Sequence, residues 1–351
     1  MKVGFLYLDA LGSGGYPKDV RWLAGHLAER GAAVSLVTTA GPRRDALDKV
    51  EVISPGELDR LSSTLDVLHI WGVFLPNQFW MSRRILRKVR LVVSPMGHLI
   101  KPHIRRRWWK KVPYLQVMRP IFARWQAVAH LFSAIEREGA RRYLRSVAEF
   151  EASLGIFPPP ERAVRPTGHA GDFILFLGRN DVYQKGIDLL LSGYAAAAEQ
   201  GLQLPLKIAG QSAGNSEAFL QRAIETLGLA KRVELLGEVS EEDKWRLLAE
   251  ARCLAFFSRW DGPPRPIREA IAVGTPVLVT PGTNLAGVVA ASGAGLAVAF
   301  NRSEVAKGLL KSANDSTTRA WIEGALRLRD DLSWPRVAQT YLDGYEFVVG
   351  R

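Results

Sequence analysis

Short apolar runs rich in β-branched residues alternate with longer amphipathic stretches along the whole chain. Because this alternation is typical of βαβ units, it predicts mostly parallel sheets flanked by helices. The predicted strands of the first half are Val3–Leu8, Val34–Thr38, Val67–Trp71, Leu91–Ser94 and Val128–Ser133. Those of the second half are Phe173–Leu177, Leu206–Ala209, Val233–Leu236, Cys253–Phe257 and Val277–Thr280.

A proline-rich stretch from Gly155 to Gly168 interrupts this rhythm and predicts a hinge near Pro158–Pro166. The length of 351 residues suits two domains of ordinary size. We therefore predict a first domain over residues 1–160, a second over residues 161–332, and a final helix over residues 333–351. Ser333 and Pro335 mark the start of that helix.

The positive charge is concentrated in one part of the chain. Residues 81–145 carry 17 lysines and arginines against two acids, whereas residues 166–351 carry 20 against 21. The densest run, Arg105–Lys111, contains two tryptophans and belongs to a predicted helix near residues 103–118. Such a run suits an anionic membrane surface, a solvated basic helix face or nucleic acid. No nucleic-acid motif accompanies it, so we expect no nucleic-acid partner.

The chain has neither a signal-peptide pattern at its start nor an uncharged run near the ~20 residues of a membrane-spanning helix. The single cysteine, Cys253, lies in an apolar run, so no disulfide framework is expected. These features predict a cytoplasmic protein that associates peripherally with the inner face of the membrane. Six histidines and one cysteine form no visible metal cluster, and we expect no metal and no cofactor.

Polar loops follow several predicted strands, which is where parallel sheets bind ligands. Arg179 and Lys185 follow one strand, and either hold a diphosphate or are solvated surface charges. Asp261 follows another strand, and Glu269 lies near the start of the next helix. Carboxylates placed there accept hydrogen bonds from sugar hydroxyls. The glycines Gly12, Gly14 and Gly15 do not have dinucleotide-fingerprint spacing and by themselves indicate only a turn.

Further segments of the chain are DVLHIWG at 66–72, VSPMGHL at 93–99, GRNDVYQKGIDLLL at 178–191 and VELLGEVSEEDKWRLLAEA at 233–251. Together with the glycine loop and the carboxylate loop, and in their order and spacing, these segments resemble the family-4, group 1 retaining glycosyltransferases from end to end. The resemblance implies the GT-B fold: two Rossmann-like, doubly wound parallel-sheet domains facing a central cleft. The final helix then crosses back to the first domain.

The resemblance also implies roles for individual residues. Arg179 and Lys185 hold the donor phosphates, Glu269 the ribose and Asp261 the donor sugar, with Gly262 and Arg265 in the same loop. Backbone at Glu238 and Val239 meets the base, and Gly14 and Gly15 lie near the phosphates. The acceptor binds near His69 and His98, although a histidine in an apolar strand is equally well explained as a packed core residue.

The expected activity is metal-independent transfer of a hexose from a nucleotide-diphosphate sugar to a lipid-linked or saccharide acceptor, with retention, in cell-surface polysaccharide or glycolipid synthesis. The chain departs from the family pattern at Asp261, Pro264 and Met96, where the family usually has glutamate, glycine and histidine. Those departures keep a catalytically degenerate binding or assembly domain as an alternative. A nucleotide-sugar epimerase or phosphorylase of the same fold is the second alternative.

Overall fold

The computed structural model describes residues 1–12, 15–39, 49–82, 85, 89–163, 165, 169–212, 214 and 216–351. These residues form two compact units. The first unit contains Met1–Gly155 together with Leu332–Arg351, and the second contains Ile156–Asp331. The final helix therefore belongs to the first unit, as the sequence predicts.

The first unit is built on a seven-stranded sheet in which every pair of neighbouring strands is parallel. Its strands are β1 (Lys2–Leu6), β2 (Ala33–Val37), β3 (Val50–Ile53), β4 (Val67–Trp71), β5 (Arg90–Ser94), β6 (Val128–Leu131) and β7 (Ala148–Glu151). Their order is 3-2-1-4-5-6-7. Its α-helices are α1 (Gly15–Glu29), α2 (Pro76–Ser82), α3 (Lys101–Arg105), α4 (Trp108–Arg124), the short α5 (Arg137–Gly139) and, from the tail of the chain, α14 (Trp334–Val349).

The second unit is built on a six-stranded parallel sheet. Its strands are β8 (Ile174–Leu177), β9 (Leu206–Ala209), β10 (Val233–Gly237), β11 (Cys253–Phe256), β12 (Val277–Val279) and β13 (Gly295–Ala297), in the order 10-9-8-11-12-13. Its helices are α6 (Val182–Lys185), α7 (Ile187–Glu199), α8 (Ser216–Thr226), α9 (Glu241–Glu250), α10 (Arg265–Ala272), α11 (Ala286–Ser292), α12 (Arg302–Ser312) and α13 (Asp315–Asp331).

A buried chain of hydrogen bonds joins α14 to the first sheet. His130 Nε2 donates to the carbonyl of Ala152 (2.9 Å), so His130 Nδ1 accepts from the hydroxyl of Ser94. Ser94 Oγ then accepts from His69 Nε2 (2.6 Å), and His69 Nδ1 accepts from the hydroxyl of Tyr345 (2.7 Å). Because each donor meets an acceptor, both rings are held neutral and in one tautomer. We refer to this chain as the histidine network.

Among the described helices, none is both long enough and apolar enough to cross a membrane.

Candidate active site

The strand order of the second sheet places a topological switch point between β8 and β11. The chain leaves β8 toward β9 on one side and leaves β11 toward β12 on the other. Loops that follow two such strands diverge, and ligands bind in the crevice outside their carboxyl ends. The loop after β8 carries Arg179 and leads to Lys185, and the loop after β11 carries Asp261.

Lys185 and Asp261 meet across this switch point. The ammonium of Lys185 donates a hydrogen bond to Asp261 Oδ2, and both side chains are largely buried, with 13% and 18% of their surface exposed. Asn284 Nδ2 donates to the backbone carbonyl of Asp261 (2.6 Å), and the amide of Asp261 donates to the carbonyl of Gly282 (2.7 Å). The backbone of Asp261 is therefore held at both its amide and its carbonyl, and its carboxylate is held by Lys185.

A glycine brings Lys185 this close to β11. Gly186 ends α6 in the left-handed conformation (φ 66°), and a Cβ at this position would lie 2.0 Å from the carbonyl oxygen of Phe257. Glycine is the residue that adopts this conformation without a steric cost. At the other end of α6, Asp181 caps the helix by accepting from the amide of Gln184 (3.0 Å).

Arg179 belongs to the same loop, and its side chain is exposed. Its guanidinium lies 3.4 Å from Gln184 Oε1, a long hydrogen bond to a neutral amide rather than to a carboxylate. The structure thus brings Arg179, Lys185 and Asp261 to one switch point, with the most exposed cation at its rim.

Glu269 lies in α10, and its carboxylate is 6% exposed. Its Oε1 accepts a hydrogen bond from Lys244 Nζ (2.9 Å) and forms an ion pair, without a hydrogen bond, with Arg265 Nε (3.2 Å). In the described part of the chain Oε2 has no hydrogen-bond partner. One oxygen is neutralised by two cations, and the other remains able to accept from a ligand hydroxyl.

Lys244 was not predicted from the sequence. It lies in α9, where it also pairs with Glu241 (2.7 Å). No motif marks it, because a lysine in the first turns of an amphipathic helix normally reads as a solvated charge. Asn284, which holds the backbone of Asp261, was also not predicted, because its role depends on a left-handed backbone (φ 59°) in a distant loop.

One cation of this region has no carboxylate partner. The cations are Arg179, Lys185, Lys244 and Arg265, and the carboxylates are Asp181, Glu241, Asp261 and Glu269, so the formal charges balance. Lys185, Lys244 and Arg265 are paired with carboxylates, whereas Arg179 forms no ion pair among the described residues. The exposed guanidinium of Arg179 therefore complements an anion such as a diphosphate.

The other predicted donor residues occupy separate places. Gly262 is buried in the loop that carries Asp261, whereas Glu238 is exposed and Val239 is half-buried after edge strand β10. Gly15 begins α1 of the first unit, and Gly14 lies outside the described residues.

His69, which the family resemblance assigns to the acceptor, is a core residue in this structure. It is fully buried, and both ring nitrogens are occupied by the histidine network. Burial, together with the neighbouring His130, holds the pKa of His69 well below its usual value. The packed-core interpretation therefore describes His69, and we remove it from the acceptor site.

His98 lies after β5 and remains a candidate. Its ring stacks on His103 (centroids 4.8 Å apart), and its buried Nδ1 has no hydrogen-bond partner in the described part of the chain. Lys111 Nζ donates to the carbonyl of His103 (2.5 Å) and lies 3.3 Å from His103 Nε2. Burial lowers the pKa of His98 to about 3 and that of His103 to about 4.

A buried glutamate shapes the loop that carries His98. Glu136 accepts hydrogen bonds from the amides of Gly97 and Phe132, and burial raises its pKa to about 7. The same loop contains Met96 in the left-handed conformation (φ 58°), an uncommon state for a non-glycine residue. Met96 is buried here, at the position where the family usually has histidine.

Two large cavities in the described part of the chain lie away from the predicted residues. A groove of about 1730 Å³ in the first unit is lined by residues of α2, α4 and the amino ends of β4 and β5. A second cavity, of about 550 Å³, lies beside α13 in the second unit. The switch point is thus identified by its charges and topology rather than by cavity size.

No group of three histidine, cysteine, aspartate or glutamate side chains suited to a metal ion occurs among the described residues. Metal independence stays a prediction.

Comparison with known proteins matches this chain to glycosyltransferases. Residues 160–327, most of the second unit, match the family described as glycosyl transferases group 1. The chain is 25% identical to GDP-mannose:cellobiosyl-diphosphopolyprenol alpha-mannosyltransferase of Xanthomonas oryzae pv. oryzae, over 93% of this chain and 84% of that protein. It is 32% identical to mannosylfructose-phosphate synthase of Agrobacterium fabrum over 32% of this chain and 26% of that protein.

Solved structures with the same fold span the whole chain. Sucrose-phosphate synthase from Thermosynechococcus elongatus superposes with a TM-score of 0.72 at 18% identity, covering 100% of this chain and 99% of that one. Anabaena HepE in complex with UDP superposes with a TM-score of 0.73 at 16% identity, covering 99% of this chain and 100% of that one. The predicted GT-B fold is confirmed.

Proposed function

We propose that this chain, whose residues 160–327 belong to the group 1 glycosyl transferases, moves a hexose from a nucleotide-diphosphate sugar to a saccharide or lipid-linked acceptor. The observation that carries the proposal is the meeting of Lys185 with Asp261 at the switch point, beside Arg179. A cation pair for the diphosphate and a carboxylate for the sugar occur in one crevice, at the place where parallel sheets bind ligands.

The leaving diphosphate gains negative charge as the glycosidic bond breaks. Arg179 and Lys185 stabilise that charge, which is the usual dominant contribution to catalysis in such reactions. Lys185 is already oriented by Asp261, so little reorganisation accompanies donor binding. Asp261 accepts from a hydroxyl of the sugar, and Glu269 Oε2 accepts from the ribose.

Retention of anomeric configuration is part of this proposal. In the described part of the switch point, Asp261 is paired with Lys185, and Glu269 is paired with Lys244 and Arg265. Carboxylates neutralised in this way are poor nucleophiles. We therefore favour attack of the acceptor on the same face from which the diphosphate departs, over double displacement through a covalent intermediate.

The names of the relatives give the first donor to test. Three relatives that match 70% or more of this chain are named as mannosyltransferases, and two of them are named as GDP-mannose enzymes. The experiment is a thermal-shift screen against GDP-mannose, UDP-glucose and ADP-glucose. The true donor raises the melting temperature most, because a ligand that binds the folded state stabilises it by mass action.

An assay of the reaction products, run with the donor found in this screen, distinguishes transfer from the alternative functions. A transferase releases nucleoside diphosphate only when an acceptor is present. An epimerase changes the sugar without releasing the diphosphate, and a phosphorylase requires phosphate. If calorimetry detects no binding of any nucleotide sugar, the chain is a degenerate binding domain and the proposed function is wrong.

Replacing Lys244 with methionine should weaken donor binding while leaving turnover at saturation nearly unchanged. Glu269 would lose its hydrogen-bonded cation and keep only the ion pair with Arg265. A misplaced Glu269 would lose its proposed hydrogen bond to the ribose. Loss of a hydrogen bond to a charged group costs about 1.5–3 kcal/mol, which corresponds to about a 10- to 100-fold rise in donor Kd.

The matched control is Lys307→Met, which removes a lysine from an exposed ion pair with Glu304 in the same unit. Lys244 acts either by positioning Glu269 for the ribose or only by supporting the fold. Calorimetry with the nucleoside diphosphate and its 2′-deoxy analogue distinguishes these two roles. If Lys244 positions Glu269, Lys244→Met should also reduce the preference for the ribose form. An unchanged preference would assign Lys244 a structural role.

A further inference from the structure

A long part of the first unit contains no acidic residue. Between Asp66 and Glu136, 69 consecutive residues carry 13 lysines and arginines and neither aspartate nor glutamate. Its most basic part runs from α3 through the first turn of α4. We call these residues, 101–111, the basic corner.

Several cations of the basic corner lack counterions. Arg105, Arg107 and Lys110 are exposed and form no ion pair with any described carboxylate. Lys111 is directed at the ring and carbonyl of His103 instead of an acid. Its pKa is lowered to about 8, first by burial and then by the charges of Arg106 and Arg107. An anion bound here would relieve this repulsion.

The backbone of the corner presents these cations together. Arg107 adopts the left-handed conformation (φ 62°, ψ 40°) between the two helices, which is unfavourable for a residue with a side chain. The first turn of α4 contains no acidic residue, and no side chain caps it. Its free amides therefore add to the positive potential of the corner.

Helix α4 combines this charge with an exposed apolar strip. Trp109, Pro113, Val117 and Pro120 are all exposed, and their spacing of four, four and three residues places them on one helix face. Trp109 is 58% exposed and Val117 is 65% exposed, and the neighbouring Trp108 is 60% exposed. The opposite face, with Leu115, Met118 and Phe122, is buried in the core of the unit. The packing of α4 is therefore satisfied without the strip.

The apolar surface continues beyond α4. Val117 lines the 1730 Å³ groove together with Trp80 of α2, whose side chain is 68% exposed. A solvated basic helix face does not account for three tryptophans and a valine exposed to this extent, because an exposed apolar patch of this kind marks an interaction site. Nucleic acid would neutralise the cations and stack bases on the tryptophans, but it would leave Pro113, Val117 and Pro120 in water.

We propose that the basic corner and the exposed strip of α4 dock on an anionic lipid bilayer. The tryptophan rings lie at the level of the headgroups, Val117 reaches the acyl boundary, and Arg105, Arg107 and Lys110 contact lipid phosphates. Helices with an apolar face and flanking cations bind in this way, by combining apolar burial with attraction to anionic lipid. A surface-bound enzyme would meet an acceptor whose sugar is carried on lipid, but the docking does not depend on the transfer reaction.

The experiment is co-sedimentation of the full chain with vesicles of phosphatidylcholine, with or without phosphatidylglycerol. Replacing Arg105, Arg106 and Arg107 with serine should reduce the partition coefficient onto anionic vesicles about 100-fold, since each surface cation contributes about 1 kcal/mol. The matched control is Arg222→Ser/Lys231→Ser/Lys311→Ser, which removes three exposed cations from the second unit. It should bind as the unaltered chain does.

A second variant tests the apolar strip. Trp109→Ser/Val117→Ser keeps every cation. At high salt, where the electrostatic attraction is screened, its partition coefficient onto anionic vesicles should be lower by about tenfold or more, because burial of one large apolar side chain contributes at least about 1.5 kcal/mol. Both positions are exposed, so circular dichroism should show an unchanged fold.

Any of four results would overturn the proposal. The first is anionic-vesicle binding by the triple arginine variant equal to that of the unaltered chain. The second is an equal loss in the control. The third is complete displacement by millimolar inorganic pyrophosphate, which would indicate a site for a soluble anion. The fourth is tight binding of a single-stranded oligonucleotide with no binding to vesicles.

Discussion

Replacing Lys185 with alanine is expected to lower turnover at saturating donor by about 10²–10³-fold, the usual effect of removing one preorganised group that stabilises developing charge. The ammonium lies at the switch point and is hydrogen-bonded to Asp261, so its position is set before the donor binds. Its removal also leaves Asp261 without its cation in a largely buried site. The nearby carboxylate would then repel the leaving diphosphate.

The control for this variant is Lys307→Ala, because Lys307 is an exposed lysine paired with Glu304 on the surface of the same unit. The double variant Lys185→Ala/Asp261→Asn separates the two contributions. If much of the defect is repulsion by the uncompensated carboxylate, the double variant should recover part of the lost rate. Steady-state kinetics supply kcat and KM, and a melting curve checks the fold. A folded Lys185→Ala variant with near-native kcat would remove Lys185 from the phosphate site.

The ten strands that the sequence predicts are all present, and the three it does not predict lie at sheet edges. These are β3 and β7, on the two edges of the first sheet, and β13, on one edge of the second. An inner strand of a parallel sheet is paired along both edges and has helices over both faces. It appears as an uninterrupted apolar run, as in β4, whose five residues are all buried. In β7, by contrast, no residue is fully buried and two of four are glutamates. Apolar residues mark the positions that are buried, so the apolar pattern is weakest in an edge strand, where fewer positions are buried.

In the candidate site, too, some residues can be predicted from the sequence and others cannot. Strand ends and loop charges are local properties, and they are enough to predict Arg179, Lys185, Asp261 and Glu269 at the carboxyl edge of the second sheet. Partners depend on contacts between distant segments, which local pattern does not encode: Lys244 reaches Glu269 from another helix, and Tyr345 reaches His69 across 276 positions. That second contact occupies one of the two ring nitrogens of His69. A sequence motif therefore locates a site more reliably than it assigns each side chain within it.

Acidification below pH 6.5 should destabilise the first unit much more than the second. In the histidine network, burial lowers the pKa of His130 to about 3 and that of His69 well below its usual value. A group whose pKa is lowered by folding contributes stability above its unfolded pKa of about 6.5 and loses it as the pH falls. Each histidine then removes about 1.4 kcal/mol per pH unit until its folded pKa is reached. His98 and His103 act in the same direction.

Glu136 acts in the opposite direction and sharpens the test. Its pKa is raised to about 7, so its contribution is complete below the unfolded value near 4.5 and is lost as the pH rises through 7. Between pH 6.5 and 4.5 it therefore offsets one histidine. The two network histidines and Glu136 together leave a net loss of about 1.4 kcal/mol per pH unit. Glu136→Gln abolishes the opposing titration and should steepen the slope by the same amount, even though the variant is less stable at every pH.

Hydrogen exchange followed by mass spectrometry, at a series of urea concentrations and pH values, measures the free energy of unfolding of each unit separately. Peptides from β4, β5, β6 and α14 report the first unit, and peptides from β8, β11 and β12 report the second. The second unit serves as the internal control because its one histidine, His169, has 40% of its side chain exposed. If the free energy of unfolding of the first unit stays constant or rises between pH 6.5 and 4.5, the histidines are not held neutral. The hydrogen-bond directions assigned to Ser94, His69 and Tyr345 would then be wrong.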